Sequence, residues 1–134
     1  MQQQSLVQHL LGYLRAGFVK RFVAVEFETT PRILLQESPL AGYQYHRASG
    51  VWPFLRVGET LRLRREPANP HDPNAIAVWY KNEHLGYVPR RENRTLAQLM
   101  DRGERLEARI VRLLEDENPW RRIRFRVDLK PVRL

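Results

Sequence analysis

Four polar side chains with chemistry to offer stand close together in Arg65-Glu66-Pro67-Ala68-Asn69-Pro70-His71-Asp72-Pro73-Asn74-Ala75: Asn69, His71, Asp72 and Asn74. Pro67, Pro70 and Pro73 fix φ three times and push each preceding residue toward extended conformations. Asn69, Asp72 and Asn74 can bond neighbouring backbone groups in Asx turns, so the loop is stiff and displays its polar groups in a defined arrangement. A connecting hairpin needs only about two to five residues, and the excess length points to a role in binding. The residues alone leave open whether Asp72 contacts a ligand or caps its own loop.

Catalysis and metal binding fit less well. Glu66, His71, Asp72 and His84 are possible cation ligands, but no pair has the i, i+4 spacing of a helical site and no second carboxylate lies close to Asp72 in sequence. There is no phosphate-binding Gly-Lys loop, no nucleophile elbow and no cysteine. The expectation is a binding module, not an enzyme, with no cofactor and no metal.

Two other residue sets suit a polyanion. Tyr45, His46 and Tyr87 can stack on bases, while Arg64, Arg65, Arg90 and Arg91 can neutralise phosphates, the combination single-strand binders use. Net charge is +8; residues 1–41 hold four basic and three acidic side chains, and the remainder nineteen and twelve. The excess therefore sits with the proline-rich loop, and such charge favours polyanions by counterion release without selecting DNA over RNA. Taken alone, tyrosines on a strand serve a core more often than a ligand.

The elements that must position these groups are mostly strands. Hydrophobic content of 43% and charged content of 28% suit a globular domain, and 134 residues suffice for one core. Ser5–Phe18 carries an amphipathic pattern with Leu6, Leu10 and Leu14 on one helical face, a core-packing or docking helix, and Phe22–Glu28 reads as a strand. Arg32–Gln36 is extended, Pro39 interrupts it, and Gly42 marks a kink or bulge. If Tyr43–His46 is extended, Tyr43 and Tyr45 share one face and Gln44 and His46 the other. Trp52 and Phe54 are expected to cover the core. Leu61 and Leu63 alternate with Arg62 and Arg64; after the loop, Ala75–Tyr80 and His84–Val88 form a hairpin. Asn93 or Thr95 starts a helix to Arg102, with Gly103 just past its end. Leu106–Leu114 and the segment alternating Arg122, Arg124 and Arg126 with Ile123, Phe125 and Val127 complete the strands. The three arginines need anions or acidic neighbours such as Glu107 or Asp128.

The central motif, together with Ala41-Gly42-Tyr43-Gln44-Tyr45-His46 and Leu85-Gly86-Tyr87-Val88-Pro89-Arg90, resembles the HIRAN domain signature from about Leu40 to Met100, more weakly to Leu129. The resemblance implies a small, mainly β (α+β) barrel of OB-like or SH3-like character with accessory helices; it does not cover the first 38 or so residues, whose periodicity adds an N-terminal helix to the one internal helix. It divides the chain into an extension, 1–38, and the barrel, 39–134. It also implies capture of single-stranded DNA at a 3′-hydroxyl end: Tyr45 and His46 stack on bases, and Asp72 with Asn69 and His71 holds the terminal hydroxyl. Gln44, Arg64, Arg65, Tyr87, Arg90 and Arg91 complete the expected nucleic-acid site. His46 stands where a second tyrosine is often found, and Gln44 where some members have arginine. Partners implied are DNA 3′ ends and a helicase or nuclease protein acting in DNA repair; the alternative is a protein-interaction or RNA-binding barrel. No apolar run reaches the roughly 20 residues of a membrane span, and a cytoplasmic location is expected.

Overall fold

Alternation decides the strand that anchors the sheet. In Ile123–Leu129 the side chains of Ile123, Phe125 and Val127 are buried, while Arg124 and Arg126 between them stay partly exposed. The computed structural model describes residues 32–130, so the expected helix Ser5–Phe18 and strand Phe22–Glu28 lie outside the described residues. Within them six strands follow one another: β1 (Ile33–Pro39), β2 (Thr60–Arg65), β3 (Ile76–Tyr80), β4 (Glu83–Tyr87), β5 (Leu106–Leu113) and β6 (Ile123–Leu129). They make one antiparallel sheet in the order β1-β6-β5-β2-β3-β4. Two short helices, α1 (Ala48–Val51) and α2 (Arg94–Asp101), accompany the sheet.

The two ends of this order meet at one place. Ala41, just beyond β1, bridges Tyr87 on β4 through two N–H···O bonds of 2.9 Å. A Cβ at Gly86, next to that bridge, would run into the Ala41 carbonyl oxygen, so only glycine lets the backbones approach. No continuous ladder joins β1 to β4, and the sheet is curled and OB-like without being closed into a full barrel. β1 runs through Pro39, spanning the expected division at residues 38 and 39.

The core lies inside the curl. Phe125, Ile110, Leu61, Ile76 and Leu85 from the strands meet Leu96 and Ala97 of α2 and Leu40 and Leu55 from the connections. Truncating a side chain such as Phe125 here would cost about 3–5 kcal/mol. α2 ends in a Schellman motif: Gly103 N–H donates to the Met100 carbonyl (3.0 Å) and Glu104 N–H to that of Leu99 (3.0 Å).

Two expectations are corrected. Tyr43–Tyr45 is a 3₁₀ turn, not a strand, entered through Gly42 at φ 78°, a left-handed conformation that glycine adopts without strain. The turn separates the tyrosines: Tyr43 is buried and packs edge-on against Trp52 at 6.0 Å, whereas Tyr45 is 78% exposed. Trp52 packs on the core as expected, but Phe54 points outward and is 68% exposed.

The arginines on β6 and just before it are each matched differently. Arg126 makes a two-pronged bond to the buried Asp128, with a shortest contact of 2.7 Å. Arg124 reaches Glu37 at 3.4 Å, and Arg122 lies over the rings of Tyr43 (5.2 Å) and Trp52 (5.6 Å). Glu107 takes Arg109 and Arg32 instead.

Candidate nucleic-acid interface

The loop between β2 and β3 is held from within. Glu66 N–H donates to the Ala75 carbonyl at 2.9 Å and closes it. Asn69 Oδ1 accepts from the N–H groups of His71 (2.9 Å) and Asp72 (3.2 Å), and Asp72 Oδ1 accepts from Asn74 N–H (2.9 Å). These are the Asx turns that the Asn and Asp spacing predicts.

Two further ties run from the loop to α2. Asn93, just before the helix, is buried and donates from Nδ2 to Asp72 Oδ2 at 2.7 Å. At the other end Arg65 pairs with Asp101 through Nε (2.9 Å) and Nη2 (3.1 Å), and also donates to the carbonyls of Ala75 (2.8 Å) and Pro73 (3.0 Å). The bond to Arg65 holds the Asp101 carboxyl below its usual range. The Arg65 guanidinium is thus a strut of the loop, engaged on every nitrogen.

An aromatic wall faces the loop. In a regular strand His84 and Tyr87, three residues apart, would point to opposite faces. The β3–β4 register shifts between Val78 and Trp79, where Gly86 pairs with Val78 and His84 with Trp79, leaving Leu85 as the extra residue of a bulge. The bulge returns both rings to one side, 4.9 Å apart. His84 stacks on Trp79 (5.0 Å, 18°) and contacts His46 (4.3 Å), which in turn meets Tyr87 edge-on at 5.4 Å. His84 Nε2 lies 2.9 Å from the Gly86 carbonyl oxygen, which fixes the proton on that nitrogen in the neutral ring.

Glu66 joins wall and loop. Its Oε1 accepts from the Tyr87 hydroxyl at 2.9 Å and from Asn69 Nδ2 at 3.0 Å. Burial, then the bond to Glu66, pushes the Tyr87 phenol up to about 12. His46 is shifted the other way: burial and the neighbouring His84 lower its pKa, and Glu66 partly opposes them.

Between loop and wall lies a cleft of about 520 Å³. Seven of the expected site residues line it: Tyr45, His46, Asn69, His71, Asp72, Tyr87 and Arg90, with Ala41, Ala75 and Val88 supplying the rest. Gln44, Arg64 and Arg91 are exposed outside the lining, and Arg65 is the strut beneath the loop. Glu66, Asn93 and His84 organise the cleft although sequence reasoning did not place them in it. Glu66 stood inside the motif; Asn93 read only as a helix cap, a bond its side chain does not make. Among the described residues no group of three or more His, Asp or Glu side chains is arranged to hold a metal ion. None of their helices is long and apolar enough to cross a membrane.

The open-edged antiparallel sheet carries this cleft beside its Ala41–Tyr87 bridge. The HIRAN domain family model matches residues 33–131, and the chain belongs to that family. A crystal structure of a protein from Lactobacillus plantarum is similar in fold, with a TM-score of 0.60 and 30% identity, over 73% of this chain and 97% of that one. The HIRAN domain of human HLTF shares the fold with a TM-score of 0.58 and 24% identity, over 73% of this chain and 78% of that one. A Fanconi-associated nuclease 1 homolog from Oryza sativa subsp. japonica is 42% identical over 52 residues, 36% of this chain. The matched segment is only 5% of that nuclease's length.

Proposed function

We propose that the cleft captures the 3′-hydroxyl end of single-stranded DNA, and that the chain acts as a binding module and not as an enzyme. HIRAN domains are DNA-binding modules. The observation that carries the finer reading is the meeting of Asp72 with Tyr45, His46 and Tyr87 in one cleft. Each Asp72 carboxylate oxygen holds one protein donor, Asn74 N–H on Oδ1 and Asn93 Nδ2 on Oδ2. Each retains a further lone pair for a hydroxyl. A terminal 3′-hydroxyl donates to that carboxylate, whereas a terminal phosphate would be repelled by it.

The terminal base stacks on Tyr45 and His46, a contact worth about 1–3 kcal/mol per base and tolerant of sequence. Arg90, exposed at the cleft, neutralises a backbone phosphate. The same chemistry suits an accessory to a nuclease or helicase, which must find strand ends, and a nuclease relative containing the matching segment supports it. The test is competition for the protein by fluorescence anisotropy, with single strands ending in a 3′-hydroxyl, ending in a 3′-phosphate, or circularised. The hydroxyl end is expected to displace the label at the lowest concentration. Equal competition by all three would reduce the site to a generic basic surface.

A further inference from the structure

Another exposed aromatic lies on a turn next to the one that carries Tyr45, outside the lining of the cleft. Trp120 lies on the 3₁₀ turn Pro119–Arg121, between β5 and β6, and is 47% exposed. This turn packs alongside the turn Tyr43–Tyr45, with Cα atoms of the two within 8 Å. The indole is not on a loose loop. Asn118 Oδ1 accepts from Trp120 N–H at 3.1 Å, Asn118 N–H donates to Asp116 Oδ1 at 2.8 Å, and Arg121 N–H donates to the Asn118 carbonyl at 3.0 Å. Arg122 lies over Tyr43 and Trp52, and Arg121, exposed and next to Trp120 in the chain, is 4.0 Å from the Asp116 carboxylate.

We propose that Trp120 is a second stacking platform, over which a single strand continues after its 3′ end has entered the cleft past Tyr45. This rests on the reading of the cleft as a strand-end site. Single-strand binders of OB-like form cover about 4–16 nucleotides with aromatic platforms in succession. The cleft alone offers a place for the terminus. Tyr45 and Trp120 are the exposed aromatics on two adjoining turns, and arginines accompany the second. Glu115 and Glu117, exposed in the same β5–β6 connection, work against phosphates there. Trp120 therefore contributes stacking, not charge, and the salt dependence of binding does not rest on it.

The test compares a trinucleotide with a ten-nucleotide strand, each made with a 3′-hydroxyl end and with a 3′-deoxy end, for the wild type, Trp120→Ala, Trp120→Phe and Asp72→Asn. Trp120→Ala is expected to weaken the ten-nucleotide strand about tenfold, as loss of one base stack implies. It should leave the trinucleotide, the salt slope and the preference for a hydroxyl end unchanged, and Trp120→Phe should restore most of the loss. Equal affinity of Trp120→Ala and wild type for the longer strand would overturn the proposal, as would equal weakening of both lengths. Failure of the cleft reading looks different: Asp72→Asn would then leave the hydroxyl preference of the trinucleotide untouched.

Discussion

Asn93 donates from Nδ2 to Asp72 Oδ2 at 2.7 Å, across 21 residues of sequence, and ties the proline-rich loop to the start of α2. The amide is buried, so its partner cannot be replaced by water without rearrangement. The bond fixes the orientation of the Asp72 carboxylate, which lines the cleft.

Removing that donor should act on both stability and recognition. Asn93→Ala strips a buried bond to a carboxylate and is expected to cost about 1–3 kcal/mol in denaturant unfolding. With Asp72 no longer aimed, the preference for a 3′-hydroxyl over a 3′-phosphate should shrink. A loss of stability with the preference intact would show that the loop holds Asp72 unaided.

Two arginines that look alike in sequence should behave differently. Arg90→Ala removes an exposed cation and should flatten the dependence of log affinity on log salt by about 0.7, the change expected for one phosphate on a single strand. Arg65→Ala removes the strut under Pro73, Ala75 and Asp101. It should lower the melting temperature and the affinity together, with the salt slope unchanged. Titrations at several salt concentrations separate the two.

The strands were legible in the sequence because alternation reports burial directly, as in Ile123, Phe125 and Val127 between their arginines. The polar loop was legible because proline and Asx spacing fix local backbone geometry. Other features depended on the fold. Gly42 turns the chain into a 3₁₀ turn that splits Tyr43 from Tyr45, and aromatic composition alone reads the same in a strand or a turn. The bulge at Leu85, which brings His84 beside Tyr87, adds one residue and leaves no compositional trace. Arg65 continues a basic ladder and resembles a phosphate ligand until Asp101, distant in sequence, closes on it.

The aromatic wall gives the domain a definite response to pH. His46 has a pKa below its ordinary 6.5 because burial and His84 oppose its charging, Glu66 only partly compensating. Just below 6.5 the unfolded chain therefore binds more protons, and the stability His46 contributes is present above 6.5 and lost as pH falls. Tyr87 works from the other side. Its phenol is raised from 10.0 to about 12, so its contribution is present below pH 10 and lost as pH rises toward 12. Denaturant melts between pH 5 and 8 should show stability declining on acidification, and His46→Gln should flatten the decline. An unchanged slope in that variant would assign the acid response to other groups.

In the function proposed, Asp72 reads a terminal hydroxyl. The most direct measurement crosses Asp72→Asn with the chemistry of the strand end, using anisotropy with one oligonucleotide ending in a 3′-hydroxyl and an otherwise identical one ending in a 3′-deoxy sugar. The wild type should favour the hydroxyl end by roughly tenfold or more, since a hydrogen bond to a charged group is worth about 1.5–3 kcal/mol. Asp72→Asn should bind the two ends nearly alike, at the affinity of the wild type for the deoxy end. A wild type indifferent to the end, or a preference that survives in Asp72→Asn, would rule out hydroxyl recognition by Asp72.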